Sequence, residues 1–168
     1  MKRLTPLLLL LAAACSRGGG DTPNNAGLVL DGSPRRPDAE GVVTAVTTER
    51  ITLDGDRTYR VAEDLASFST YDLIATPMLQ RRGQYVQLGL DGDVAEWMAG
   101  IGVVVRAEGR APVVFYNGDL VRIDDDRAVF KDGTVLALAE DAKLADVTGP
   151  ARAEIDPSAH RVVLLTAQ

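Results

Sequence analysis

From Gly41 onward apolar and polar residues alternate with a period of two. The runs "GVVTAV", "RITLDG", "TYRVAED", "QYVQLGLDG", "VVVRAEG", "PVVFYNG", "DLVRIDDD", "RAVFKDG", "TVLALAED", "ARAEIDP" and "HRVVLLTA" are short and rich in β-branched residues. Each is bounded by Gly, Asp, Asn or Pro, so the pattern predicts many short strands joined by tight turns. Asn117-Gly118, Asp132-Gly133, Asp54-Gly55 and Asp91-Gly92 supply the residues that tolerate the positive φ of a hairpin turn. The segment "VAEWMAGIGVVV" (94–105) fits a helical stripe and a strand face equally well. Gly100 and Gly102 would each weaken a helix by about 1 kcal/mol, so it is read as a strand.

A shift of 77 residues lays "GVVTAVTTERITLDGDRTYRVAED" (41–64) without a gap on "GDLVRIDDDRAVFKDGTVLALAED" (118–141). Gly41 meets Gly118, Arg50 meets Arg127, and both segments end in Ala-Glu-Asp. Val46 falls on Ile123, Ile51 and Leu53 on Ala128 and Phe130, and Tyr59 and Val61 on Leu136 and Leu138. Both copies therefore point the same positions inward. An even shift preserves period two, so the shared endings and the shared arginine carry the case for a duplication.

After each Ala-Glu-Asp a helical connection is expected. The first is long, with Asp64 capping a helix that carries Leu65 and Phe68 before Pro77 closes it; the second, "DAKLADVTG", is short. Two more strand runs follow in each copy. This order of elements resembles the oligonucleotide/oligosaccharide-binding (OB) barrel and related SH3-like small barrels. The fold class expected is all-β with minor helix: two tandem OB-like or SH3-like barrel copies, 41–111 and 112–168. Copies of this size are marginal alone, so they are expected to pack as one body.

The N-terminus follows different rules. Lys2 and Arg3 precede an apolar run of 11 residues, Leu4–Ala14, broken only by Thr5 and Pro6. A membrane span needs about 20 apolar residues, whereas this length suits a cleavable secretory signal. Ala12, Ala13 and Ala14 then lead to Cys15, the single cysteine. These residues resemble the lipobox of bacterial lipoproteins, with Ala12 standing where leucine is commonest. The resemblance covers residues 1–15 alone and implies a signal peptide at 1–14, cleavage before Cys15, and acylation of its thiol and new amino group. Two or three acyl chains, at about 0.8 kcal/mol per buried methylene, make a stable anchor. A buried free thiol or an ordinary secretory signal is the alternative.

Residues 15–40 read as that cysteine followed by a flexible, Gly-, Pro- and Asn-rich tether, with a reach of about 25 to 30 Å. Its "GLVL" stretch is an alternative edge strand.

Charge narrows the partners. The chain has 18 Lys plus Arg against 24 Asp plus Glu, and only 8 aromatic residues. Loss of Lys2 and Arg3 with the signal leaves 16 against 24. Clustered cations and stacking platforms are what nucleic-acid binding requires, so no nucleic-acid partner is expected. His160, the sole histidine, is read as a surface turn residue. It has no cysteine partner and cannot build a multi-histidine metal site. Asp54/Asp56, Asp91/Asp93 and Asp124-Asp125-Asp126 suggest calcium, but turn chemistry alone accounts for them and none follows the calcium-loop spacing. Trp97 with Met98, and Phe115 with Tyr116, are read as core before they are read as a ligand groove.

No catalytic residue, cofactor or metal ligand is assigned, and no ligand-binding residue is named. The expected function is that of a non-catalytic lipoprotein of the cell envelope, held to the membrane through Cys15 and binding an envelope protein or polymer. In a two-membrane cell the outer membrane is the expected site. The alternative is an OB-like binder of small ligands or saccharides, helped by calcium.

Overall fold

The computed structural model describes residues 34–69 and 82–168. The signal-like run, Cys15, "GLVL" and Pro77 lie outside these residues. Ten strands follow in order: β1 (Ala39–Val46), β2 (Arg50–Leu53), β3 (Arg57–Ser69), β4 (Gln84–Asp91), β5 (Val94–Val105), β6 (Val113–Asp124), β7 (Arg127–Phe130), β8 (Val135–Leu144), β9 (Gly149–Asp156) and β10 (Arg161–Ala167). They form one mixed ten-stranded sheet, so the all-β expectation holds.

The strand reading of 94–105 holds throughout as β5. The helical connections do not appear among the described residues. Asp64 and Leu65 continue β3, and the ladder from Ala66–Trp97 to Ser69–Gly100 runs parallel to β5. Asp141–Leu144 likewise lie in β8, where Leu144 pairs with Leu165 of β10. A helix at either place would strip β5 or β10 of a ladder partner, so sheet pairing overrides the local capping signal.

Pairing runs β3-β2-β1-β4-β5, and β3 also pairs with β5, so the ladder returns to its own start. The next five strands behave alike: β6 pairs with β7 and β9, β7 with β8, and β10 with both β8 and β9. In each circuit one pairing is parallel, β3–β5 and β8–β10. Long strands change partner along their length. β1 pairs with β4 over Ala39–Val42 and with β2 from Val43, across a bulge at Thr44. β6 pairs with β9 as far as Leu120 and with β7 from there, across a bulge at Val121. Such bulges bend a strand and raise its twist, which is what a returning ladder needs.

Two cores result. The smaller lies within the first circuit and contains Val43, Ile51, Leu53, Leu65, Val86, Leu88, Ala95 and Met98. The larger holds Tyr116, Phe130, Leu136, Leu138, Ile155 and Leu165 of the second circuit together with Tyr85, Ala99 and Ile101 of the first. β5 and β6 join the circuits through Val104–Val114 and Val105–Val113. Residues 35–38, read from the sequence as linker, touch both: the Arg35 amide donates to Gly133 O (2.8 Å) and the Asp38 amide to Leu88 O (2.9 Å). Of the positions expected to point inward, Tyr59 and Val61 are half-buried against the smaller core. Ile123, beside the β6–β7 turn, is 38% exposed.

Asp54-Gly55, Asp91-Gly92 and Asp132-Gly133 lie at the expected turns, with positive φ at Asp54, Gly55, Gly92 and Gly133. Asn117-Gly118 does not; it lies inside β6, opposite Arg152 and Ala151 of β9. The glycine there answers a packing need. A Cβ on Gly118 would come within 2.8 Å of the Tyr116 hydroxyl and 3.1 Å of the Phe130 ring. Both rings are buried and meet edge to face at 4.7 Å. Gly118→Ala should therefore destabilise the chain by about 1–3 kcal/mol through overpacking, read as a lowered urea midpoint at unchanged slope.

Candidate functional site

Polar side chains converge where the two circuits meet. β4 supplies Tyr85 and Gln87, both essentially without exposure. Gln87 Nε2 donates to Glu40 Oε2 (3.1 Å) on β1 and to Val135 O (2.8 Å) on β8, crossing from one circuit to the other. The β2–β3 turn supplies Asp54, whose Oδ1 accepts the Val42 amide (2.8 Å) and whose Oδ2 accepts from Arg57. Arg57 also donates to Glu40 O (2.7 Å). Burial works against the Arg57 charge, but the hydrogen bond and charge of Asp54 outweigh it and hold its pKa above the ordinary value.

From the second circuit the turn after β9 brings His160 onto this cluster. Its Nε2 lies 3.6 Å from Asp54 Oδ2 and its ring centroid 5.9 Å from that of Tyr85. His160 thus sits on a turn, as expected, but its side chain is 26% exposed and packs against the other circuit. Its φ of 55° lies in the left-handed region, which non-glycine residues seldom adopt. His160 Nδ1 and the Tyr85 hydroxyl are buried without a hydrogen bond of ordinary geometry. Burial first, then the Glu40 charge, pushes Tyr85 ionisation far up. Burial and the Asp132 charge do the same to Tyr116, whose hydroxyl donates to Asp132 Oδ2 (2.9 Å). Held protonated in this way, Tyr116 serves as a donor and Tyr85 as a packing group. The cluster joins the two circuits through the bonds of Gln87 and the contacts of His160 with Asp54 and Tyr85.

At least one member of each acidic group singled out in the sequence is engaged by a neighbouring cation. Asp93 holds Arg60 through two bonds (2.8 and 3.0 Å), which lowers its pKa. Asp124 meets Arg122 (2.6 Å), and Asp126 meets Arg161 (3.4 Å) and Arg127 (3.7 Å). No group of three metal-capable side chains converges among the described residues. Met98 and Tyr116 are buried core, and Trp97 is half-buried against the larger core. Cys15 lies outside the described residues.

Two solvent-facing surfaces remain. On the first circuit Arg50 and Arg60 stand directly opposite, beside a Thr52–Thr58 hydroxyl pair at 2.9 Å. Opposed like charges are unfavourable, and Asp93 offsets one of them. On the second circuit the Arg152 guanidinium lies 3.9 Å above the Phe115 ring. Sequence reading missed both Gln87 and the Arg152–Phe115 contact. Gln87 alternates with Val86 and Leu88 as a solvent-facing residue would, and the stacked pair depends on strand register that no local pattern discloses.

Comparison with protein-family models, with curated proteins and with solved structures finds no match to the chain.

Two outcomes follow from the polar geometry. Gln87→Leu keeps the volume but leaves the buried Val135 carbonyl without its donor, and should cost about 1–3 kcal/mol in urea unfolding. Asp156 Oδ1 accepts from the Ser158 hydroxyl (2.6 Å) and amide (2.8 Å), and the hydroxyl bond above all lowers its pKa. A carboxylate depressed in the folded state stabilises above the unfolded value of about 3.9 and loses that contribution as pH falls through its folded value. The urea midpoint of wild type should therefore fall more steeply between pH 6 and pH 2.5 than that of Asp156→Asn, whose amide oxygen can still accept from the turn.

Proposed function

We propose that the chain is a lipid-anchored, non-catalytic binding or assembly module of the cell envelope, built as two tandem OB-like barrels that pack as one body. One observation carries the architectural half: the same backbone details recur at an interval of 77 residues. β2 (50–53) and β7 (127–130) differ by that interval. So do the bulges at Val43/Ala45 and Leu120/Arg122. The bond from the Asp54 amide to Val42 O (2.8 Å) has its counterpart from Lys131 to Asp119 O (2.9 Å). The bond from Val61 to Glu49 O (2.9 Å) has its counterpart from Leu138 to Asp126 O (2.7 Å). Hydrogen bonds and bulges recurring in register, with so few identical residues, support duplication of one five-stranded unit better than two independent solutions. A five-stranded circuit with bent strands resembles the OB barrel.

The functional half rests on the lipobox-like residues before Cys15 and on the character of the polar groups. Those groups either join the circuits or satisfy turns, which favours a body that presents surfaces. Every described strand is paired on both sides for part of its length. Little edge is left for a partner to extend by strand addition, so the partner is met through side chains.

The test joins anchoring to binding. In cells of the source, the mature N-terminal peptide should begin at Cys15 and carry the added mass of acyl chains, and Cys15→Ser should move the chain from the membrane to the soluble fraction. Crosslinking should recover an envelope partner with wild type that is lost with Cys15→Ser. An unmodified Cys15 removes the lipoprotein reading. If Cys15 is acylated but no partner is crosslinked, a saturating rise in melting temperature with a cell-wall saccharide or calcium would select the ligand-binding alternative.

A further inference from the structure

The outer face of β6 and β9 holds a cation that stacks on an aromatic ring and makes no ion pair among the described residues. Arg152 is exposed, lies opposite Asn117 in the ladder, and stacks its guanidinium carbon 3.9 Å above the Phe115 ring. Arg57, Arg60, Arg122, Arg127 and Arg161 each have a carboxylate within ion-pairing distance. Arg152 has none among the described residues, although Glu154 stands two positions away, opposite Phe115. Beside it, Gln168 Nε2 donates to Asn117 Oδ1 (2.5 Å). That bond occupies the Asn117 acceptor and leaves its amide hydrogens uncommitted.

We infer that Arg152, stacked on Phe115 and flanked by Asn117 and Gln168, forms a receptor for a carboxylate borne by a peptide, most simply the C-terminal residue of a protein partner. Stacking on an aromatic face restricts the long arginine side chain before any ligand arrives, which removes part of the ordering cost of binding. The planar fork that remains matches a carboxylate through two parallel hydrogen bonds. Charge selects the anion. One guanidinium balances a monoanion, while a phosphate dianion requires a second cation; the ladder neighbours of Arg152 are Asn117 and Thr166, and Glu154 follows two positions along its own strand, so none of them supplies one. The paired amides select the peptide, because a donor and an acceptor side by side complement the amide that precedes a terminal carboxylate. This inference deepens the binding-module reading by naming a ligand chemistry. It rests on that reading for its setting alone, since the face is the same whether or not Cys15 is acylated.

The experiment is a side-chain NMR titration of the full mature chain at pH 7 and constant ionic strength, observing the arginine Nε–H and Asn/Gln amide signals. Four probes are compared: N-acetylglycine, N-acetylglycinamide, glucuronate and inorganic phosphate. N-acetylglycine should give saturable shifts confined to Arg152, Asn117 and Gln168 with a millimolar Kd, and the uncharged amide should give none. Arg152→Lys, which keeps the charge and loses the fork, should weaken binding at least fivefold. Phe115→Leu, which removes the stacking face, should weaken it severalfold, and Arg127→Lys should leave it unchanged, with the backbone spectrum of each variant confirming the fold. Shifts that do not saturate, or that move Arg50 and Arg106 equally, would overturn the site. Tighter binding of phosphate or of glucuronate would overturn the peptide-carboxylate assignment. A chain with unmodified Cys15 that still binds N-acetylglycine at Arg152 would separate this inference from the anchoring proposal.

Discussion

Strand β4 carries buried side chains on both faces, and the joining of the two halves depends on this. Val86 and Leu88 point into the smaller core, while Tyr85 belongs to the larger one with the interior of the second circuit. β5 repeats the arrangement, with Ala95 and Met98 on one side and Ala99 and Ile101 on the other. A unit of 60 to 70 residues buries only about 60% of the surface that its unfolded chain exposes. Sharing β4 and β5 gives each half an apolar contact that it lacks by itself. The second circuit gains more, since three of the buried residues of its core come from the first.

Double burial has a polar consequence, since a strand covered on both sides has nowhere to place a polar side chain in water. Gln87 meets this constraint by bonding to one acceptor in each circuit. A buried amide with both donors engaged is directional where the surrounding hydrocarbon is not, so it fixes the relative register of the two halves. Asp54 and His160 act in the same place from opposite sides. Both occupy left-handed backbone on turns, and each turn leans on the other circuit. Aspartate tolerates positive φ in a turn whereas histidine adopts it less readily, and the His160 ring bears on Asp54 and Tyr85 across the junction.

The sequence disclosed what depends on period and on turn chemistry. Alternation predicted strands over β1 to β10, and Asp-Gly pairs located three of the turns. Its failures have one origin: a single chain does not show what covers an element. Asp64 and Leu65 look like a helix start because capping is local, but the chain runs on through them as strand into Ala66–Ser69, which complete a ladder with β5. Asn117-Gly118 looks like a turn because Asn-Gly usually is one, but the glycine is there to admit the Tyr116 and Phe130 rings. Gln87 looks solvent-facing because its own circuit leaves that side open, and only the second circuit closes it. The Arg152–Phe115 contact was illegible for a related reason. Arg152 faces Asn117 directly, so the stacking is diagonal across the ladder and becomes visible only once register is known.

Closure of both circuits bears on how such a body can be recognised. A partner finds little edge from which to extend the sheet, because every described strand is paired on both sides for part of its length. Large exposed apolar side chains are distributed over β5, β6, β8 and β10, as Val103, Val105, Val121, Ile123, Leu144 and Val163. Single exposed residues of this kind are normal on any surface. What distinguishes one face from another is then charge and preorganisation. Some of the described surface acids sit beside arginines that offset them, as Asp93, Asp124 and Asp126 do. Arg152 is set apart by its stacking 3.9 Å above the Phe115 ring, which restricts the side chain before a ligand arrives and so lowers the ordering cost of meeting one.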